Sequence, residues 1–398
     1  MFKGKTVIIG VSAGIAAFKT VELVSMLVKT GADVRVIMTE NAINFINPIT
    51  FETLTGNKCF VHTFDRDFSF NVEHVDLAKQ ADVICIAPAT ADILAMLSNG
   101  FARDMLTSIV LASDAKKILV PSMNTGMYEN PITQDNLAKL KNYGFKVMEP
   151  ASGWLACRTV GKGKMPEPEE IFSMIEFELT EKKDMCGKKV IVTAGATRED
   201  LDPVRFISNR STGKMGVAVA KVAYMRGAEV TLIKAFTEIE VPKYLKVVDV
   251  RSADDMLEEV KKRYEKADII IKAAAVSDYK PASVSDQKIK KSSDDLNIEL
   301  QKNVDILEYI GKHKRKNQFV CGFSMETRDL IENSKQKLKK KNADMIIANN
   351  LKDEGSGFGT DTNSVTVITE DGCEPLSLLS KEDVAQKILD RITERFPK

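Results

Sequence analysis

The sequence predicts an α/β protein of two doubly wound domains, each built on a mainly parallel sheet. Three observations predict it. Short continuous apolar runs, Lys5 to Gly10 (KTVIIG) and Lys188 to Thr193 (KKVIVT), have the composition of strands buried on both faces. Strand-like runs alternate with helical patterns along the chain, the order of a parallel sheet with crossover helices. The opening Lys3-Gly-Lys-Thr-Val-Ile-Ile is echoed at Cys186-Gly-Lys-Lys-Val-Ile-Val, which marks a second α/β unit rather than a repeat array. A length of 398 residues accommodates two domains, and the charged stretch before the echo places the boundary near 185, giving 1–185 and 186–398.

In the first domain the opening strand is followed by Ser12-Ala-Gly14 and a helical pattern to Leu27. A turn and second strand follow (Gly31 to Thr39), then strands at Ala81 to Ala87 and Lys117 to Pro121. Polar segments follow these strand ends: Thr39-Glu-Asn-Ala42, Ala87-Pro-Ala-Thr90-Ala-Asp92, and Pro121-Ser-Met-Asn124. In an open α/β sheet ligands bind at this carboxyl edge. The Ser12 hydroxyl and the N–H groups of the helix that follows suit a phosphate. Gly10-x-Ser12-x-Gly14 also matches a nucleophile elbow, but it follows the first strand, where that fold builds several strands first. The late histidine, His313, lies in a Lys/Arg-rich segment. Gly4-Lys5-Thr6 has no room for the upstream glycine of a P-loop.

His74, in Val72-Glu-His-Val-Asp-Leu, is by itself as readily structural as functional. The segment Gly153-Trp-Leu-Ala-Cys157-Arg-Thr-Val-Gly-Lys-Gly163-Lys-Met reads as a glycine-rich flap. Its cysteine has Arg158, Lys162 and Lys164 close in sequence, although a free cysteine is most often buried and inert.

The second domain is organised around Thr193 to Gly216, a long polar stretch between a strand and a helix at Val217 to Arg226. It carries Arg198, Arg205, Asn209, Arg210 and Lys214, donors suited to phosphate and carboxylate. Structureless loops of this length are functional or disordered, and Val204, Phe206 and Ile207 argue against disorder. Further strands are predicted at 228–233, 246–250, 267–273, 318–323 and 344–348, with helices at 254–264, 328–340 and 381–395. Polar motifs again follow strand ends: Ala273-Ala274 to Asp278, Lys288-Ile-Lys290-Lys291, Lys302-Asn303-Val304-Asp305, and Gly322-Phe323 to Glu326-Thr327. The lysines from Lys335 to Lys341 are equally the pattern of a solvated face. No Walker A sequence is present, so a nucleotide is bound in another way.

The bulk numbers exclude several classes. A net charge of +1 implies no nucleic-acid partner, and no apolar run reaches membrane-spanning length. The N-terminus reads as a first strand rather than a secretory signal. The six cysteines make no CxxC pair and form no metal-ligand cluster with His62, His74 and His313. A cytoplasmic chain with reduced thiols is the simplest account.

Over nearly all of its length the chain resembles the bifunctional coenzyme A biosynthesis flavoproteins, which join phosphopantothenoylcysteine decarboxylase to phosphopantothenate–cysteine ligase. The resemblance implies FMN as cofactor, held by Ser12, Gly14, Thr39 and Thr90. It makes His74 catalytic, Asn124 the group on the substrate carboxylate, and Cys157 the proton donor on a flap, with Lys164 where an arginine is more usual. For the second half it implies a CTP site at Ala273, Ala274, Asp278, Lys288, Val304, Asp305, Ile306, Leu307, Phe323, Lys337 and Lys341. Asn209 would contact the activated phosphopantothenate, and Asp278 would bind Mg²⁺. The implied substrates are 4′-phosphopantothenate, cysteine and CTP. The implied assembly is a homo-oligomer, trimer-based in the first half and dimeric in the second. Two other classes compete. A flavin-binding regulatory protein with a degenerate site is opposed by the joint presence of His74, Asn124 and Cys157. A dinucleotide-dependent oxidoreductase would require G-x-G-x-x-G after a strand, which neither domain opening has.

Overall fold

The computed structural model describes residues 2–63, 73–290, 296–326, 329–350, 357 and 359–396; Val72, Lys291, Thr327, Arg328 and Phe358 lie outside them. The chain forms two compact units, Met1–Glu181 and Lys182–Lys398.

In the first unit β1 (Thr6–Val11), β2 (Asp33–Met38), β3 (Val83–Ala89), β4 (Lys116–Pro121) and β5 (Lys146–Val147) make one parallel sheet in the order β2-β1-β3-β4-β5. Successive side chains of a strand point to opposite faces. Val7, Ile9 and Val11 therefore join one core with Leu23 and Leu27, while Ile8 joins another with Ile93 and Leu106. Both faces being covered explains the unbroken apolar run. The strand order reverses between β1 and β3, so the loops leaving these two strands open into one crevice. The predicted flap is an antiparallel hairpin of β6 (Ala151–Trp154) and β7 (Val160–Lys164).

The second unit holds an eight-stranded sheet. Its parallel part comprises β8 (Lys189–Ala194), β11 (Glu229–Lys234), β12 (Lys246–Asp249), β13 (Ile269–Lys272), β16 (Phe319–Glu326) and β17 (Met345–Asn350). The antiparallel β18 (Thr362–Thr369) and β19 (Gly372–Ser380) extend it, giving the order β12-β11-β8-β13-β16-β17-β18-β19. The switch point lies between β8 and β13. Val190 and Val192 enter one core with Val219 and Ile388, and Ile191 enters the other with Ile270 and Leu307.

One expectation is corrected. The stretch after β8 is not a structureless loop: β9 (Arg198–Asp200) and β10 (Phe206–Ser208) pair as a hairpin, and the following helix begins at Lys214. The turn from β8 into the hairpin demands glycine at 195. That residue has φ +83°, and a Cβ there would stand 2.3 Å from the Phe236 carbonyl oxygen. The units divide between Glu181 and Lys182, beside the expected 185, and Asp184 lies in the second unit. Arg226, fully buried, donates from Nε to Asp184 at 2.8 Å and from Nη1 to Asp390 at 2.9 Å.

Candidate active sites

The first unit has a cavity of about 1150 Å³ at the carboxyl edge of its sheet. Ser12, Gly14, Thr39, Thr90, Asn124 and Cys157 all line it. Ser12 follows β1 and Thr90 follows β3, so the crossover topology brings them together. The Ser12 hydroxyl donates to the Pro88 carbonyl at 2.8 Å and accepts from the Thr90 N–H at 3.0 Å. It therefore ties the two strand ends together across the crevice. Among the described residues its hydrogen-bond partners are Pro88 and Thr90, not the imidazole that a nucleophile elbow pairs with its serine.

Asn124 caps the helix Thr125–Glu129: its Oδ1 accepts from the Gly126 N–H at 2.8 Å, which leaves Nδ2 to donate to Cys157 Sγ at 3.3 Å. Cys157 Sγ also lies 3.0 Å from Thr159 Oγ1. These bonds from Thr159 and Asn124 hold the exposed thiol below its ordinary value. Burial instead pushes the Cys59 thiol up to about 12. Cys157 is thus the sulfur whose environment favours proton exchange. Thr159→Val is expected to move the pH midpoint of Cys157 alkylation upward, measured by iodoacetamide kinetics and peptide mapping.

The hairpin is set against Asn124 by its glycines. Gly163 has φ +144°, and a Cβ on it would come within 2.2 Å of the Met123 carbonyl oxygen. Its own carbonyl accepts from the Met123 N–H at 3.0 Å. Lys164 and Lys19 both line the cavity and both bond Glu167, at 3.1 and 2.7 Å. These two lysines hold the Glu167 carboxyl below the usual carboxylate range, Lys19 most strongly. The trio keeps net positive charge on the wall. Thr159, Lys19 and Glu167 were missed by sequence reasoning. Thr159 carried a weak signal, two places after the cysteine in a turn; the others carried none.

His74 is the expected residue that this cavity does not gather. It sits half-buried in the helix Glu73–Gln80, and His62 lines the cavity instead.

In the second unit the loops after β8 and β13 are stitched together at the switch point. Thr193 Oγ1 accepts from the Ala274 N–H at 3.2 Å, Thr197 Oγ1 from the Ser277 N–H at 3.0 Å, and Asn209 Nδ2 donates to the Ala275 carbonyl at 3.1 Å. Asp278 and Lys288 are exposed, as is Val304. Ser277 Oγ and Asn303 Oδ1, beside Asp278, are buried without a hydrogen-bond partner, polar atoms left open for a ligand.

Asp305 caps the helix Ile306–His313 by accepting from the Glu308 N–H at 2.9 Å. The side chains of Ile306 and Leu307 are core residues, 1% and 2% exposed. A ligand can therefore meet these two only through backbone, at the helix N-terminus. Lys341 is clasped by Asp305 at 3.1 Å and Glu308 at 2.6 Å, and Lys337 Nζ lies 3.4 Å from the Phe323 carbonyl. Hydrogen bonds from Lys312 and Lys341 hold Glu308 at about 2.

Lys272, the last residue of β13, was overlooked. Burial, reinforced by Lys337, pushes it down to about 8, against Asp305 and Asp278. A lysine closing an otherwise apolar strand was its visible signal. Among the cations of the central stretch, Arg198 stacks between Phe206 and Phe236, its Cζ 4.5 and 3.6 Å from the ring centres. Lys214 pairs with Asp361 at 2.6 Å and Arg205 with Asp202 at 2.6 Å. Among the described residues no group of three or more His, Cys, Asp or Glu forms a metal-binding cluster.

Residues 1–180 match the family model described as Flavoprotein, and residues 185–396 match that of the DNA/pantothenate metabolism flavoprotein C-terminal domain. The chain is 43% identical over 396 residues to the coenzyme A biosynthesis bifunctional protein CoaBC of Bacillus subtilis, covering 98% of this chain and 97% of that one. The chain belongs to the family of bifunctional coenzyme A biosynthesis proteins. The family member of Escherichia coli is 40% identical over 396 residues, covering 99% and 98% of the two chains. Among solved structures, the C-terminal domain of a CoaBC protein is 42% identical, with 53% of this chain and 97% of that chain covered and a TM-score of 0.46. A PPC decarboxylase mutant complexed with pantothenoylaminoethenethiol is 27% identical, with 44% and 97% covered and a TM-score of 0.39. Among the described residues no helix is long and apolar enough to cross a membrane.

Proposed function

We propose that the chain performs two consecutive steps of coenzyme A biosynthesis in the cytoplasm. The second unit joins 4′-phosphopantothenate to cysteine at the expense of CTP. The first decarboxylates the resulting 4′-phosphopantothenoylcysteine to 4′-phosphopantetheine with FMN. The observation that carries this reading is the meeting of Asn124 and Cys157, 3.3 Å apart, in the cavity that also holds Ser12, Gly14, Thr39 and Thr90.

The residues fit FMN. The cavity is large, its floor is a strand-to-helix turn with hydroxyl side chains, and Thr125 Oγ1, next to Asn124, is buried without a partner. When bound, FMN supplies hydride acceptance from the cysteine carbon and hydride return. The chain's own residues do the rest. Ser12, Gly14, Thr39 and Thr90 hold the cofactor. Asn124 receives the substrate carboxylate. Cys157 holds a proton at Sγ and delivers it to the carbon left by carbon dioxide. Lys19 and Lys164 draw an anionic substrate to the wall.

In the ligase a carboxylate is a poor acylating agent until activated. Its attack on the nucleotide α-phosphate releases pyrophosphate and forms an acyl-cytidylate, from which the cysteine amine displaces CMP. Lys288 stabilises the charge that gathers at the α-phosphate. Ala273 and Ala274 line the phosphate site, and the phosphates meet the backbone N–H groups of Ile306 and Leu307 at the helix N-terminus, with Lys337 and Lys341 nearby and Val304, Asp305 and Phe323 lining the site. Asn209 contacts the acyl intermediate. A lone exposed carboxylate, Asp278, suits Mg²⁺, which keeps waters and phosphate oxygens as its other ligands.

Among the described residues His74 is not one that lines the cavity of its own chain, which favours a site that a second copy completes. This supports a trimer-based first unit; the second unit is read as dimeric. Mixing inactive His74→Asn and Cys157→Ala chains and reassembling them is expected to restore decarboxylation. Absence of recovery in verified mixed oligomers would exclude sharing. The function itself is tested by supplying 4′-phosphopantothenate, cysteine, CTP and Mg²⁺ and following pyrophosphate and carbon dioxide. The protein is expected to purify yellow with about one releasable FMN per chain, since each first unit carries one such cavity. CTP is expected to exceed ATP in kcat/KM. A colourless protein that takes up no FMN would remove the decarboxylase, and equal specificity constants would remove the CTP preference.

A further inference from the structure

We propose that Asp202 is a positioning residue for ligation: from inside the unit its carboxylate, with Arg205, grips the peptide that follows Lys288. The inference rests on the reading of Lys288 as the group at the α-phosphate.

Lys288 needs such help. The segment from 282 to 290 has no helix or strand, and Lys288 is exposed on it. A flexible lysine on an unanchored segment would lose much of its worth at a developing charge, because electrostatic stabilisation depends on a group already in place. The anchor is the Asp202–Arg205 pair. The Asp202 side chain is fully buried and that of Arg205 partly exposed. Asp202 Oδ1 accepts the N–H groups of Val204 and Arg205, both at 2.8 Å, which closes the local turn. Oδ2 does something the turn does not require. It accepts from the Ile289 N–H at 3.1 Å and from Arg205 Nε at 3.0 Å and Nη2 at 2.6 Å. The same Nη2 donates onward to the Ile289 carbonyl at 2.6 Å. Both polar groups of Ile289 are thus satisfied by one ion pair. Upstream, the Ser285 N–H donates to the Leu201 carbonyl at 3.0 Å, a second tie to the same turn.

Oδ1 serves the turn alone, while Oδ2 serves both the Arg205 side chain and the segment that carries Lys288. The carboxylate accepts five hydrogen bonds in all, more than its roughly four lone-pair sites serve singly, so the charged form is strongly favoured. Burial alone would raise the Asp202 carboxyl; the bonds from Arg205 and the backbone outweigh it and hold the group far below the usual range. The grip is therefore made by an ionised carboxylate.

Asp202→Asn keeps the size and the Oδ1 acceptor but sets an amide N–H₂ against the Ile289 N–H and the Arg205 fork. The full-length enzyme is assayed for acyl-cytidylate formation, by pyrophosphate release without cysteine. The expected result is a loss of about 10- to 100-fold in kcat, the scale of a displacement near 1 Å, with KM for CTP changed little. Decarboxylation of supplied phosphopantothenoylcysteine is expected to stay unchanged. The deciding readout is the double variant. In a Lys288→Ala background Asp202→Asn should cost nothing further, because the group it positions is gone. Multiplying losses, or a rise in KM alone, would overturn the proposal. Lys288→Ala with full ligation would overturn both the proposal and the reading beneath it. A measurement on the unaltered protein stands even if the variant fails to fold: hydrogen exchange of the peptide spanning 284–290. Slow exchange at Ile289 is expected, and exchange at the unprotected rate would overturn the grip.

Discussion

Lys288→Ala is expected to slow acyl-cytidylate formation on the order of 100- to 1000-fold, the usual loss when a charged group is removed from a developing charge. The same protein should decarboxylate supplied phosphopantothenoylcysteine at the normal rate, because Asn124, Cys157 and Thr159 belong to the other unit. Cys157→Ala is the mirror experiment. It removes the proposed proton donor and leaves the proposed nucleotide loops intact, so ligation should continue and phosphopantothenoylcysteine, or an oxidised form of it, should accumulate. Quenched-flow product analysis of both variants reads all four rates. A folded, flavin-loaded variant that lost both reactions would contradict two separate sites.

Arg226→Ala is expected to destabilise the second unit by about 3 kcal/mol, the lower end of the cost of breaking a buried ion pair. Arg226 is fully buried and its guanidinium bonds Asp184, Asp390 and Thr393, joining the start of the unit to its last helix, Lys381–Arg395. Its removal leaves two carboxylates behind. They are 30% and 29% exposed, so water relieves part of the penalty and the lower figure applies. For a unit of this size the melting temperature should fall by roughly 6–12 °C, read by calorimetry. The pH dependence has a definite sign. Burial alone would raise Asp184 and Asp390, but Arg226 and Lys182 outweigh it and hold both below 3.8. Their stabilising contribution is present above that value and fades as pH falls through the depressed folded values. The gap between wild type and variant should therefore narrow as pH drops below about 4.

The strand series was legible because a strand covered on both faces is apolar along its length, and the interior residues of Thr6–Val11, Val83–Ala89 and Lys189–Ala194 follow that rule apart from Thr193. The short pairs β6–β7 and β9–β10 were not, because glycine, arginine and serine in a hairpin read as loop until their partner strand is known. Candidate site residues at strand ends were legible for a topological reason: the crevice of a doubly wound sheet collects whatever follows its central strands. That reasoning found Ser12, Thr90 and Asn124. It could not separate backbone contacts from side-chain contacts at Ile306 and Leu307, whose side chains the core claims.

By itself the sequence determined the fold class, the duplication of the α/β plan, and the chemistry available in each half. These depend on local periodicity and on residue types, which the chain carries openly. Only the tertiary structure decided which of those groups act together. It set Cys157 against Asn124 and Thr159, placed His74 away from that cavity, gave Lys164 to Glu167, and turned Arg205 from an apparent ligand donor into a strut for Ile289. Hydrogen bonds and desolvation act over a few ångströms in space, and residues that meet at that range are here separated by as many as 208 positions in the chain, a distance that no local pattern spans.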